Sequence, residues 1–186
     1  EQVEEAFMLA RKVGFTNINM DLILGLPGEN EADVQNTIDR VVELAPDSLT
    51  VHSLAIKRAS KLSQWIEQNG ITALNNTDET MEIAADGAKA MNMKPYYLYR
   101  QKNTVGNAEN TGYSVPGKEN LYNILMMEEH SSVFACGAGA ITKLVTPDEE
   151  IIDRIAHQKY PYEYLAEPKG IGADRIKEFY FEHFND

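Results

Sequence analysis

One stretch constrains this chain more than any other: Asn17-Ile18-Asn19-Met20-Asp21-Leu22-Ile23-Leu24-Gly25-Leu26-Pro27-Gly28-Glu29. Its first half is a buried-strand pattern that carries one acid, Asp21. It then breaks into a Gly-Pro-Gly turn and hands over to a new amphipathic helix at Glu31. An acid inside such a run costs several kcal/mol unless it is paired or bonded to a ligand. The carboxyl ends of buried parallel strands are where α/β barrels and open α/β sheets place their ligands. On spacing alone, a ligand contact and a plain backbone or Lys partner account equally well for Asp21.

The flanking pattern fixes the class of fold. Val3, Ala6, Phe7, Ala10 and Val13 recur at helical spacing, and Gly14 ends that helix. Residues 18–24 read as a strand whose only polar members are Asn19 and Asp21. Asn30 caps a helix carrying Val34, Ile38, Val41, Val42 and Leu44. Pro46-Asp47 stops it, and residues 49–54 form a second strand. This alternation implies parallel strands joined by crossover helices.

Further along, helices are expected over 62–68, ending at Gly70, and over 78–91, capped by Thr77. Residues 95–100 read as a strand. Residues 101–118 are polar and lack periodicity, which suits a functional loop such as a lid, or a disordered stretch, more than a simple connection. The apolar run 121–127 fits either helix or strand. Strands are expected at 132–136 and 141–145, and helices over 149–158 and 173–184.

Charge narrows the partners. Asp and Glu number 29 against 17 Lys and Arg, a net charge of -12. That disfavours nonspecific nucleic-acid binding and anionic membrane surfaces. No apolar run approaches the length of a membrane span. The chain begins at Glu1 and runs straight into a helix, as expected of a fragment of a longer protein. Its one cysteine, Cys136, excludes an internal disulfide framework and suits a reducing cytoplasm. A single thiolate cannot hold an iron–sulfur cluster alone.

Other constellations are weaker. Gly137-Ala138-Gly139-Ala140 lacks the third glycine of a dinucleotide fingerprint and the ending of a phosphate loop. It reads as a tight turn, or as a place where backbone approaches a flat ligand. Cys136 beside it reads as a small core residue, and His52 as a satisfied core histidine. His130, His157 and His183 lack ligand spacing, and Glu128-Glu129-His130 reads as solvated surface. In the tyrosine strand, Tyr97, Tyr99 and Gln101 share one face, and Tyr96, Leu98 and Arg100 the other. That is an ordinary half-buried strand, or a wall for an aromatic substrate whose carboxylate pairs with Arg100.

The run Asn19-Met20-Asp21-Leu22-Ile23-Leu24-Gly25-Leu26-Pro27-Gly28 resembles the oxygen-independent coproporphyrinogen III oxidase family, which are radical S-adenosylmethionine enzymes. Pro46-Asp47-Ser48-Leu49-Thr50-Val51-His52-Ser53-Leu54 looks like the next barrel strand of that family. Gly112-Tyr113-Ser114 and Cys136-Gly137-Ala138-Gly139-Ala140-Ile141-Thr142 look like its later substrate-side segments. Pro95-Tyr96-Tyr97-Leu98-Tyr99-Arg100-Gln101-Lys102-Asn103 is similar to the coproporphyrinogen dehydrogenase-like branch.

The resemblance implies an α/β fold: the C-terminal part of a partial (βα)6 TIM-like barrel with an α+β C-terminal extension. Residues 1–94 would be the last βα units, 95–146 a substrate-side α+β segment, and 147–186 a helical tail. Asp21, Ile23 and Ala55 match family positions around S-adenosylmethionine, and Ile141 a position near a second such molecule. Asn110-Thr111 stands where the oxidase has a polar-aromatic pair. Arg100, Gln101 and Tyr113 are the substrate-binding candidates. The implied cofactors are S-adenosylmethionine and a [4Fe-4S] cluster ligated by residues outside this chain, so the chain alone should be inactive. The implied partners are a porphyrinogen substrate and a reductant such as flavodoxin or ferredoxin, in the cytoplasm. The implied activity is oxidative decarboxylation of coproporphyrinogen III to protoporphyrinogen IX. A haem-binding chaperone of the same family, or another radical S-adenosylmethionine enzyme, is the alternative.

Overall fold

Two parallel strands and the helix that joins them organise the first part of the molecule. The computed structural model describes the chain apart from residues 57–59, 71–76, 103, 105, 107, 168–170 and 185–186. The chain divides into two units, Glu1–Leu121 and Tyr122–Asp186. The boundaries expected at 94/95 and 146/147 fall inside these units.

In the first unit, α1 (Gln2–Lys12) leads into β1 (Asn19–Leu24). Asn30 caps α2 (Glu31–Leu44): its side chain accepts from the Ala32 and Asp33 N–H groups, and the Asp33 carboxylate accepts from the Asn30 N–H. The chain then returns as β2 (Ser48–Ser53), parallel to β1 with Asn19 beside Ser48 and Leu24 beside Ser53. This is the helix–strand–helix–strand order that the apolar spacing predicts.

Two more helices follow, α3 (Lys61–Asn69) and α4 (Asp78–Ala90), the latter capped reciprocally by Thr77 and Thr80. Next come β3 (Lys94–Tyr99) and β4 (Asn110–Ser114). The sheet order is β1-β2-β4-β3, with β4 antiparallel to both neighbours. So 110–114, inside the stretch expected to be loop, is an interior strand. Asn-Thr-Gly-Tyr-Ser carries no apolar alternation, and its pairing is dictated by the strands on either side.

Leu24, Leu49 and Val51 from the sheet pack with Val34, Ile38 and Val41 of α2 and with Ala84, Ala88 and Met93. The two helices come close at Gly87, where an added Cβ would lie 2.3 Å from Ile38 Cγ2. Helix α1 is tied down by an ion pair of Arg11 Nη1 and Asp47 Oδ2 at 2.6 Å. The same carboxylate accepts from the Ile18 N–H at 2.8 Å, so Asp47 joins α1, β1 and β2.

The second unit contains α5 (Leu121–Glu128), which begins at the division, an antiparallel hairpin of β5 (Ile141–Val145) and β6 (Ile152–Ala156), then α6 (Pro161–Ala166) and α7 (Ile171–His183). Leu144, Ile155 and Phe179 form its core. The helix expected over 149–158 is therefore wrong, because 152–156 is a strand. The reason is local: Glu149 takes a positive φ of 63°, and the Thr146 N–H and hydroxyl bond across the turn to Ile151. That turn closes a hairpin, and cross-strand pairing overrides the helical look of the sequence. Of the strand expected at 132–136, only Val133 pairs, with Lys143. Cys136, expected in the core, is exposed. Among the described residues no helix is long and apolar enough to cross a membrane.

Candidate functional site

Alternation sorts the sheet of the first unit into two faces. Met20, Leu22 and Leu24 of β1, with Leu49 and Val51 of β2, turn to the helices. Asn19, Asp21 and Ile23, with Ser48, Thr50 and His52, turn the other way. The registers carry this face across the sheet. Asp21 lies beside Thr50, Thr50 beside Gly112, and Gly112 beside Tyr97. One step along, Ile23 lies beside His52, and Asn110 beside Tyr99.

Polar contacts knit these residues together. Asn19 donates to Asp21 Oδ1 at 2.7 Å and accepts from Ser48 Oγ and Thr50 Oγ1. The Tyr99 hydroxyl and His52 Nδ1 share a hydrogen bond at 3.2 Å. The Tyr97 hydroxyl reaches Thr50 Oγ1 at 3.5 Å. The Tyr97 and Tyr99 rings are parallel within 6°, 6.3 Å apart. Burial pushes both phenols above their ordinary range, and the Asp21 charge adds to it. Both therefore remain neutral donors at neutral pH. Asn110 is 1% exposed; its Oδ1 accepts from the Ser53 N–H at 2.7 Å, while Nδ2 has no partner among the described residues.

The candidate residues separate as follows. Asp21 and Ile23 lie together on this face. Asp21 is exposed, which corrects the expectation of an acid in a fully buried strand: β1 is the edge of the sheet, and its alternate residues point outward. Ile23 is 43% exposed, unusual for its side chain type. Ala55 lies just beyond β2, bridged to Thr104. Tyr113 is on the opposite face, beside Leu49 and packed against the helix-side core, where burial raises its phenol pKa. Arg100, just past β3, pairs with Glu109 at 2.9 Å, and Gln101 is exposed. Ile141 belongs to the second unit, where it opens β5 and is 51% exposed. Sequence reasoning missed His52 and the Tyr97–Tyr99 pair as members of the Asp21 face. The signal was cross-strand register, since His52 falls beside Ile23 once β1 and β2 run parallel.

The face offers a carboxylate acceptor, an exposed aliphatic side chain and phenolic donors, a set that suits the polar and flat parts of a nucleoside. No group of acids, histidines or cysteines suited to a metal ion occurs among the described residues.

The chain shares its fold with part of a solved structure. It superposes on coproporphyrinogen III oxidase (HemN) from Escherichia coli, described as a radical SAM enzyme, with a TM-score of 0.51 over 85% of this chain and 35% of that one, at 20% identity. The sequence narrows it further. The chain is 42% identical over 177 residues, 95% of its length, to the oxygen-independent coproporphyrinogen-III oxidase-like protein HemZ of Bacillus subtilis strain 168, covering 35% of that protein. It is thus a homologue of the oxygen-independent coproporphyrinogen III oxidase-like proteins, as its motifs suggest. It is also 25% identical over 169 residues to the heme chaperone HemW of the same organism, across 87% of this chain and 42% of that protein. The chain spans about a third to two fifths of the curated relatives named here. No protein-family model matches it.

Proposed function

We propose that these residues form part of a radical S-adenosylmethionine oxidoreductase that decarboxylates coproporphyrinogen III to protoporphyrinogen IX. The observation that carries this reading is the face of β1 and β2 turned away from the α2–α4 core, where Asp21 and Ile23 stand beside Thr50 and His52. In a (βα)6 barrel this face would be the interior. Two features support that arrangement. Strand β1 pairs on one side with β2, and an apolar groove of about 330 Å³ runs beside it, lined by Val3, Ala6, Phe7, Ala10 and Met20 among others. A further parallel strand beside β1 would continue the sheet and enclose the face.

Asp21 would accept hydrogen bonds from the cofactor's polar groups, Ile23 would lie against the adenine, and Ala55 would flank the adenosine from the next strand end. S-adenosylmethionine, when bound with a reduced cluster, supplies the hydrogen-abstracting radical; the protein places it and excludes water. Cys136 is the chain's one cysteine, so the ligands of a [4Fe-4S] cluster would come from other polypeptide. Arg100 would exchange its exposed Glu109 partner for a substrate propionate, with the exposed Gln101 next to it as a further substrate-side residue; Tyr113, packed on the helix side of the sheet, takes no part in this arrangement. An exposed ion pair is worth only about 0–1 kcal/mol, so the exchange is easy.

The match to a heme chaperone favours a second reading, in which the same fold binds haem without oxidising a substrate. The test uses the full-length protein, reduced and anaerobic, with coproporphyrinogen III and S-adenosylmethionine. Vinyl-bearing product formed with cofactor cleavage supports the oxidase. Tight haem binding without product supports the chaperone.

A further inference from the structure

Lys143 lies at the centre of β5. It is bridged to Val133 on one side and stands opposite Arg154 of β6 on the other. Its neighbour Leu144 points into the core with Ile155 and Phe179. Alternation sends Lys143 to the other face, shared with Ile141 and Val145. There it is 5% exposed, and its Nζ is buried with no hydrogen-bond partner among the described residues. Arg154, directly across the hairpin, is paired with Glu129. Of two basic side chains facing each other, one has an acid and the other has none.

That arrangement is unfavourable as it stands. A buried amine without an acceptor loses its hydration and gains nothing in return. Like charges directly opposite in an antiparallel pair also repel. An anion on Nζ relieves both. Arg154 is about half exposed, which opens this side of the hairpin to solvent. The flexible stem of Lys143 lets the amine swing toward that opening while the strand stays in place. Glu129 already neutralises Arg154, so within this basic pair one positive charge, that of Lys143, is left without an acid among the described residues. That matches a carboxylate better than a doubly charged phosphate.

We propose that Lys143, with Arg154 beside it, is a carboxylate-binding site on the β5–β6 hairpin that takes one carboxylate of a polycarboxylate ligand. The site rests on the hairpin geometry. Only the use of coproporphyrin III as one probe rests on the function proposed above.

The test compares the 186-residue chain with its Lys143→Met and Lys143→Arg variants. Without ligand, Lys143→Met melts a few degrees above wild type, because it removes a buried amine that lacks an acceptor. Propane-1,2,3-tricarboxylate raises the melting temperature of wild type and leaves that of Lys143→Met unchanged. Coproporphyrin III, followed by its Soret band, binds Lys143→Met about tenfold more weakly than wild type, and Lys143→Arg recovers most of the loss. An unliganded Lys143→Met that melts lower, or does not fold, reveals an acceptor within the protein and overturns the proposal. Equal stabilisation of wild type and Lys143→Met by the tricarboxylate, or stabilisation of neither, overturns it as well. Stabilisation of wild type alone, without binding of coproporphyrin, upholds the hairpin site and counts against the porphyrin reading.

Discussion

The ring of Tyr97 fills the space that a side chain at Gly112 would need: a Cβ there would lie 1.8 Å from Tyr97 Cε1. The glycine lets the tyrosine lie across β4 toward Thr50, and so joins the outer strand β3 to the Asp21 row of the sheet.

Gly112→Ala should therefore displace Tyr97 and loosen its stack on Tyr99. Overpacking of this kind costs about 1–3 kcal/mol. Denaturant unfolding should show that loss, and near-ultraviolet circular dichroism should show a changed tyrosine signal. An unchanged tyrosine signal with wild-type stability would mean that the ring does not rest on Gly112.

Asp47 makes a pH-dependent contribution. Burial pushes its carboxyl up, but the Ile18 N–H and the Arg11 guanidinium outweigh this and hold it below the ordinary carboxylate range. A depressed carboxyl pKa stabilises the fold above the unfolded value of about 3.9, and that stability is lost as pH falls through the lower folded value. Wild type should exceed Asp47→Asn in stability at neutral pH, by about 1 kcal/mol given the partly exposed pair. The gap should close as pH drops below about 4. A gap that stays constant from neutral to acid pH would assign the effect to something other than the Asp47 charge.

Arg100→Lys keeps the positive charge and loses the planar fork that grips a carboxylate through two bonds. In the full-length protein, product formed per deoxyadenosine should fall while cofactor cleavage and melting temperature hold. If the product ratio is unchanged, Arg100 only ties the end of β3 to Glu109.

The elements legible in the sequence were those with a strong period. α1, β1, α2 and β2 follow from apolar spacing at 3.6 and 2 residues, and the caps at Asn30 and Thr77 mark their helices. β4 was hidden because Asn110 to Ser114 are paired by position in the sheet, with no apolar pattern of their own. With β4 unseen, the side on which Tyr113 falls could not be read. β6 was hidden because a polar run with scattered isoleucines fits both periods, and the Thr146 turn that decides between them is a hydrogen-bonding feature. Asp21 was legible as a candidate because an acid breaks an apolar strand. His52 and Tyr99 were not, because their meeting depends on two registers, one parallel and one antiparallel.

The central claim is that the Asp21 face binds S-adenosylmethionine, and calorimetric titration of the cofactor into the full-length, cluster-loaded protein tests it most directly. Asp21→Ala should weaken binding by about 1.5–3 kcal/mol, roughly one to two decades, with the cluster's absorbance intact. Wild-type affinity in Asp21→Ala would contradict the account.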